Sequence, residues 1–416
     1  MPATVPATAH PRGHRAASGR PIRTTASRRP FHMTASGRPI HKAARGRPIR
    51  ATAGAAAGAV LAAALLLSAL APRPGRCQPF GTPGTFLNVP DNPGYVQVPS
   101  SPALNPAKAI TIELYAQPAS SSGTYSFLGK GYKTSYWIGS VNGVLESVLA
   151  GTGSARAGGA LVPDASGEPA QVHIAVTYDG ANRRHYIDGE LVAVFPESGP
   201  LPASSLPLYL GSDPQLTNNS GASIFEVRLW NVARTQEQIR STMAQQIDGP
   251  MPGLVAVWHL AGNASDPAGG HAGDAPQGFA QYVSLPTGFP CGLPQTDACL
   301  LSSRFDAAAT YRVFSAPAAD GHVSLTSFGQ AHVAGQDDGS AVFYFFGPTD
   351  WEILAKMPAG TCGLGSRFWF FSAATTNVHY SITVYDLATG TQKVYTNWSG
   401  PAAPAVTDTS AFATCP

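Results

Sequence analysis

A chain of 416 residues has room for two domains, and its 12% charged residues with 44 Gly and 37 Pro fit a turn-rich all-β protein better than a helical one. The formal net charge of +3 conceals a split: residues 1–76 hold 13 of the 27 Lys and Arg and no acid, which leaves 14 bases against 24 acids, about −10, for the remainder. So acidic a folded part speaks against a nucleic-acid partner, because non-specific binding of that kind depends on neutralising phosphates.

The chain opens on a basic segment, residues 1–50. Arg-Pro recurs there every nine residues, at Arg20-Pro21, Arg29-Pro30, Arg38-Pro39 and Arg47-Pro48. Nine residues are too few for a packed solenoid unit, which needs about 20 or more. Without apolar faces the segment is expected to be disordered. It reads as a basic arm, as an over-long flank of the signal that follows, or as translated sequence ahead of a later start at Met33.

Residues 51–76 read as an export signal. Ala51 to Ala71 carry no charge, Val60 to Leu70 are the most apolar stretch, and Ala69 and Ala71 are small residues of the kind a cleavage site uses. A retained anchor is the alternative, although Ala and Gly make the run a weak candidate for the roughly 20 apolar residues of a span. A membrane is expected as a partner only through this segment if it stays uncleaved.

From residue 83 to 272, short apolar runs follow one another between Gly, Pro, Asn and Ser. They are Tyr95–Val98, Ile110–Tyr115, Tyr125–Leu128, Tyr136–Ile138, Val172–Tyr178, Arg184–Ile187, Leu191–Phe195, Leu208–Leu210 and Ile224–Trp230. Several alternate apolar with polar residues, as half-buried antiparallel strands do. Asp179-Gly180 and Asp188-Gly189 mark two tight turns around a short strand, hence two consecutive hairpins. One short helix is expected: Thr235 caps it, Gln238 completes a capping box, and it runs to about Met243.

These pieces, in this order, resemble the laminin-G-like, concanavalin A-like jelly roll (lectin/glucanase type), in a form common among secreted bacterial proteins. Tyr95-Val96-Gln97-Val98-Pro99 resembles its opening strand. Ile110-Thr111-Ile112-Glu113-Leu114-Tyr115 resembles a second, with Tyr115 where the family usually has Trp. The double Asp-Gly hairpin, the run Ile224 to Arg234 and the closing strand Leu254–Leu260 complete the likeness. It implies a β-sandwich that binds a glycan or an extracellular protein at a loop rim. In many members calcium takes part, and calcium takes six to eight oxygens. The residues offered for it here are Asp91, Asp213 and Asn219. Phe225 stands where the family often has Asp, so one polar position is lost. On the other reading Asp91, Asp179, Asp188 and Asp213 are turn residues.

Glucanases of this architecture hold paired carboxylates on one strand, because one acts as nucleophile and the other as acid. Glu113 and Glu226 each stand alone on their strands, and neither a His-Glu-x-x-His nor a Gly-x-Ser-x-Gly motif occurs. No catalytic residue is therefore assigned, no enzyme is expected, and a polysaccharide hydrolase is only an outlying alternative. The ligand-binding residues are not legible at this stage.

Gly262 to Gln281, holding Gly, Ala, Asn, Asp and Pro, reads as a surface linker, with residues 273–288 assigned to it between the two parts. Strand signals resume over 289–416 at Ser303–Phe305, Tyr311–Val313, Ala341–Phe346, Glu352–Leu354, Arg367–Phe371, Val378–Tyr385 and Gln392–Tyr395. This part is expected to be a second, smaller β-sandwich: Arg367-Phe368-Trp369-Phe370, Ile382-Thr383-Val384-Tyr385-Asp386 and Tyr395-Thr396-Asn397 resemble a C-terminal module of secreted bacterial proteins, a likeness that implies a sandwich but no chemistry. Alternation sends half of each aromatic run, Phe343–Phe346 and Phe368–Phe371, into the core. Trp351 and Trp398, near turns, are the better candidates for stacking on a sugar.

Four of the five cysteines, Cys291, Cys299, Cys362 and Cys415, fall in this second part, which suits an exported chain with disulfides. Their spacing is no zinc pattern, and of three possible pairings Cys291–Cys415 with Cys299–Cys362 is the favoured one. The expectation is thus an exported bacterial protein, secreted, periplasmic or at the cell surface, that binds glycan or protein. A structural, adhesin-type role is the alternative.

Overall fold

The computed structural model describes residues 85–90, 93–149, 151, 155–161, 171–214, 221–284, 291 and 295–416. The basic segment 1–50, the signal 51–76 and Cys77 lie outside the described residues. No helix among the described residues is long and apolar enough to cross a membrane.

The first part forms β1 (Thr85–Asn88), β2 (Gly94–Val98), β3 (Ile110–Pro118), β4 (Thr124–Gly129), β5 (Tyr136–Val141), β6 (Val144–Leu149) and β7 (Ala155–Ala160). It continues with β8 (Val172–Tyr178), β9 (Asn182–Ile187), β10 (Glu190–Pro196), β11 (Leu208–Gly211) and β12 (Ala222–Trp230). Helix α1 (Gln236–Thr242) and β13 (Leu254–Trp258) follow. Two short strands, β14 (Gln277–Gly278) and β15 (Gln281–Ser284), close this part. They fall inside 273–288, the stretch expected as a linker: β14 pairs with β2 and β15 with β1, so each extends a sheet edge of the jelly roll.

All pairing is antiparallel, in two sheets. The first runs β10-β9-β8-β3-β12-β1-β15, with β13 also on β12, and the second runs β14-β2-β11-β4-β5-β6-β7. Alternation decides which side chains meet between them. Ile110, Ile112, Leu114 and Ala116 of β3 face Val96, Val98, Phe127, Tyr136, Ile138 and Leu145 of the other sheet in one core. The opposite face of β3 shows Thr111, Glu113 and Tyr115, and the residues lying over it decide what that face can do. Helix α1 starts as expected, with Thr235 and Gln238 in a reciprocal capping box. The run Val144–Leu149 carried no strand expectation because Glu146 and Ser147 interrupt its apolar pattern, and β7 because it is Ala and Gly with an Arg.

The second part forms β16 (Asp297–Leu300), β17 (Phe305–Phe314), β18 (Leu325–Gln330), β19 (His332–Gln336), β20 (Ser340–Tyr344) and β21 (Trp351–Lys356). A one-turn helix α2 (Cys362–Gly365), β22 (Phe368–Ala374), β23 (His379–Asp386), β24 (Thr391–Asn397) and β25 (Val406–Phe412) complete it. They make a second sandwich of two sheets, β16-β17-β23-β24 with β18 on β17, and β19-β20-β21-β22-β25. Phe343, Phe345 and Phe370 enter its core, as alternation predicts for the aromatic runs.

The disulfides correct the expected pairing: Cys291 joins Cys299 and Cys362 joins Cys415. Cys291 returns beside Cys299 on β16, with Cα atoms 5.5 Å apart. Cys362 opens α2 just ahead of β22 and Cys415 follows β25. Because β22 pairs with β25, those ends meet, with Cα atoms 5.7 Å apart.

Both sandwiches belong to one compact unit. Leu325 of β18 is buried in the core of the first sandwich, with Phe314 and Phe328 packed against it. The polar part of the contact is the Asp188-Gly189-Glu190 hairpin turn. The Arg312 guanidinium meets the Asp188 carboxylate at 2.8 Å and donates to the Gln171 carbonyl at 3.1 Å. Glu190 accepts the Ser399 N–H at 3.0 Å and pairs with Arg240 at 2.7 Å. A Cβ at Gly189, where φ is +74°, would stand 2.8 Å from the Trp398 ring. The glycine therefore serves both the turn and the close approach of the second sandwich.

His185 of β9 is wholly buried between the sheets, where its Nε2 lies 2.7 Å from the Ser147 hydroxyl and its Nδ1 3.0 Å from the Gly158 carbonyl. Burial pushes its pKa down to about 4, with the Arg183 charge acting the same way against the Gly158 bond. An unfolded imidazole titrates near 6.5, so the fold favours the neutral ring. This contribution is full above about pH 6.5 and is lost as the pH falls toward 4, a swing of about 3 kcal/mol. We expect unfolding free energies measured across that window to fall more steeply for the native chain than for a His185→Gln variant. At the contact between sandwiches, Arg312→Ala strands a nearly buried Asp188 carboxylate and is expected to cost about 3 kcal/mol. Calorimetry of this variant should show the single transition split in two, and an unsplit, unshifted transition would show that the pair does not hold the sandwiches together.

Candidate functional site

The outer face of the first sheet is closed by a charge network. Glu113 on β3 pairs with Arg234 and lies 3.5 Å from His173 and 3.9 Å from Arg228. Glu226 on β12 pairs with Arg228 and with His259, the latter at 2.9 Å. The two guanidinium groups then reach the end of α1. Arg228 donates to the carbonyls of Thr242 and Gln245, and Arg234 to the Gln238 carbonyl and the Thr242 hydroxyl. Tyr115 donates to the Met243 carbonyl at 3.1 Å. Burial pushes the Glu113 carboxyl up, but nearby His173, at 3.5 Å, and the charges of Arg228 and Arg234 outweigh it and hold the pKa below the usual value. Each glutamate is alone on its strand in sequence, yet folding brings both to one side of the sheet around Arg228.

The outer face of the second sheet is different. Its register sets Gln97, Tyr209, Gly129, Trp137 and Val148 in one row across β2, β11, β4, β5 and β6. Gly139 of β5 stands opposite Glu146 of β6. Tyr136 and Ile138 enter the core, so Trp137 between them points outward. Its indole lies flat over Gly139: a Cβ there would come within 2.3 Å of both the ring and the Tyr125 carbonyl oxygen. The indole N–H donates to the Ser126 hydroxyl at 2.9 Å, and the Tyr132 ring packs against the indole edge-to-face, centroids 5.4 Å apart. Trp137 is thereby buried and acts as a floor.

Half-exposed groups stand around this floor. Tyr95 and Tyr209 pack edge-to-face at 5.0 Å. The Lys133 ammonium sits 5.1 Å from the centre of the Tyr132 ring. The phenol oxygens of Tyr95, Tyr132 and Tyr209 and the Glu146 carboxylate have no hydrogen-bond partner among the described residues. Burial pushes the Glu146 carboxyl up, offset in part by Lys133. Burial and the Glu146 charge raise the Tyr132 phenol, and burial, Tyr95 and Asp213 raise that of Tyr209. Chemically, the face offers ring surfaces, three hydroxyls free to donate or accept, and an open carboxylate acceptor.

Of the residues expected at a calcium rim, Asp91 and Asn219 lie outside the described residues. Asp213 is buried at the end of β11, and its Oδ2 accepts the Tyr132 N–H at 3.1 Å. One carboxylate falls short of the six to eight oxygens calcium takes, and no group of three or more His, Cys, Asp or Glu side chains among the described residues could hold a metal. The described residues do not make this site by themselves. Asp179 and Asp188 are turn residues. The Asp179 carboxylate accepts the Ala181 and Asn182 N–H groups, and Asp188 has φ +48°. Trp398, expected as a stacking residue, packs instead between the sandwiches, 4.5 Å from the Arg240 guanidinium and edge-on to His379. Trp351 is 61% exposed at the start of β21.

Fold and register define a concanavalin A-like sandwich followed by a second β domain. Residues 90–240 match the family model of the concanavalin A-like lectin/glucanases superfamily, of the laminin G type, and this stretch is a domain of that superfamily. No curated protein matches the chain. Among solved structures, a proposed carbohydrate binding protein from Bacteroides ovatus ATCC 8483 is 17% identical at a TM-score of 0.40, over 49% of this chain and 61% of that one. The chain thus spans less than two thirds of that protein's length. Domain 4 of a GH43 extracellular arabinanase from Geobacillus stearothermophilus, in complex with arabinotriose, is 22% identical over 36% of this chain and 72% of that one, at a TM-score of 0.28. The binding domain of botulinum neurotoxin DC is 11% identical over 71% of this chain and 67% of that one, at a TM-score of 0.31.

In the sequence the rings of the second sheet stand singly, away from the Asp-Gly turns and the aromatic runs of the second sandwich. The signal that could have found them is period two: Tyr95 and Gln97 alternate with Val96 and Val98, and Trp137 lies between two core residues. Gly139→Ala is expected to lift Trp137 off its seat and cost at least about 2 kcal/mol. Loss of the near-ultraviolet circular dichroism of that tryptophan, together with a lowered midpoint, checks it.

Proposed function

We propose that this chain is an exported, non-catalytic binding protein whose jelly roll takes a glycan on the outer face of its second sheet. The observation that carries the reading is the half-exposed rings Tyr95, Tyr132 and Tyr209 on one face of the sheet, with Glu146 beside Tyr132 and without a hydrogen-bond partner among the described residues. Rings present flat apolar surface to the C–H faces of a sugar, while free hydroxyls and a carboxylate meet its hydroxyls. The non-catalytic part of the reading is supported by Glu113 and Glu226, which are buried and held by Arg228 and Arg234. Carboxylates buried beneath a helix and held by arginines lack the access that glycoside hydrolysis needs, and Glu113, held below the usual carboxylate range, also lacks the proton. Export is supported by two disulfides, which persist in oxidising compartments. Calcium assistance belongs to the same proposal at the Asp213 rim, where Asp91 and Asn219 would add their oxygens.

A second reading, a structural surface protein, draws support from Trp351, Phe346 and Leu354, exposed at 61%, 60% and 45% on the second sandwich. A glycan array probed with the full chain, with calcium and with chelator, separates the two. We expect binding to a subset of glycans that Tyr209→Ala weakens about tenfold or more, roughly 1.4 kcal/mol, and a calcium-dependent rise in Tm that Asp213→Asn removes. Absence of any glycan binding, with self-association instead, would favour the structural reading. An unchanged Tm would remove calcium alone.

A further inference from the structure

We infer that the outer face of the second sheet selects neutral, hydroxyl-rich glycans over glycans bearing a carboxylate, and that Glu146 sets this selectivity. The inference rests on the glycan reading of that face and narrows it to a ligand class.

The charges on the face have one dominant sign. Glu146 lies opposite Gly139, which sits under the Trp137 indole, and close enough to Tyr132 to raise its phenol, and Asp213 lies at the Tyr132 amide. Asp274 approaches the Gln97 amide at 3.5 Å, on the same side of β2 as Tyr95. Against these three carboxylates stands, among the described residues, one nearby cation, the exposed Lys133, already placed over a ring. The other basic groups of this sheet point elsewhere: Lys130 donates to the Ser100 hydroxyl and the Leu206 carbonyl, and Arg156 pairs with Glu197. An anionic sugar docked on Tyr132 would bring its charge next to Glu146, with no guanidinium fork among the described residues to meet it, and like charges drawn together out of water repel strongly. A neutral sugar meets the same group differently. The Glu146 carboxylate has two oxygens that only accept, and neighbouring sugar hydroxyls can both donate to it. The half-burial that leaves this carboxylate short of water also makes each such bond stronger than in the open.

The test uses the full chain and pairs of immobilised glycans that differ in one carboxylate: galactose-terminated against sialylated, and xylan against its glucuronate-bearing form. The native chain is expected to bind the neutral member about tenfold or more tighter, roughly 1.4 kcal/mol. Glu146→Gln should shrink that ratio toward one, and Glu146→Lys should invert it. Circular dichroism of each variant confirms the fold, and Tyr209→Ala should weaken both members of a pair alike. Equal or tighter binding of the acidic member by the native chain, still lost in Tyr209→Ala, overturns the selectivity and leaves the glycan reading standing. A neutral preference that survives Glu146→Lys overturns the role of Glu146. Binding to neither member of any pair overturns both the selectivity and the glycan reading.

Discussion

The buried pairing of Glu113 and Glu226 with Arg228 and Arg234 organises the molecule. Ionised groups withdrawn from water are tolerated only when paired and hydrogen-bonded on their remaining sides. Here the remaining donors of both arginines find carbonyls at the end of α1, the helix end that carries partial negative charge. The sheet thus dictates where the helix ends, and the capping box of Thr235 and Gln238 dictates where it begins. Seven residues of helix would not persist alone; fixed at both ends, they shut the outer face of the first sheet. Met243, just beyond the helix, packs on Phe86, Tyr115 and Phe225, with Trp398 of the second sandwich against the same cluster.

The second sandwich continues what the helix starts. It seats on the Asp188-Gly189-Glu190 turn, whose carboxylates both find partners across the contact. A tight turn is normally a solvated tip; here one side of it is a surface for another domain. The apolar share of the contact, with Leu325 entering the first core, makes the two sandwiches mechanically one body and not two beads on a linker. Residues 277–284 complete that arrangement by adding an edge strand to each sheet of the jelly roll, so that edge backbone groups are paired.

How much of this could be read in advance follows from how local each signal is. The Asp-Gly turns, the capping box and the alternating strands are short-range and stand in the sequence as they stand in the structure. The disulfides were mispaired because their geometry depends on β22 lying beside β25, a long-range fact. Glu113 and Glu226 looked solitary because 113 residues separate partners that register sets on neighbouring strands. Trp398 looked like an open ring because nothing in Asn397-Trp398-Ser399 announces the hairpin of another domain against it. The face around Trp137 was legible in part. Its residues alternate as outward positions should, but that Gly129 and Gly139 clear the space for a flat indole is visible only once β4 and β5 are side by side.

The treatment of carboxylates across the chain gives that face its meaning. Glu113, Glu226, Asp188 and Glu197 meet arginines, and Asp386 meets Arg304 and the Thr414 hydroxyl. Asp266 accepts the N–H groups of Val257, Ala268, Gly269 and His271, which hold its pKa down against burial. Asp306 and Glu146, among the described residues, depart from this pattern. Asp306 is pushed up to about 7 by burial and by Asp297, and it keeps an enclosed oxygen without a partner on the outer face of the β16-β17-β23-β24 sheet, opposite to Phe305 and Ala307 in the core. Glu146 is the other, and it stands at an open surface beside rings and free phenols. Most buried carboxylates among the described residues are thus paired, and on the proposed reading Glu146 is left open for a ligand. An acceptor left unpaired, next to a fixed aromatic floor, is the arrangement of a group waiting for donors that the protein does not itself supply.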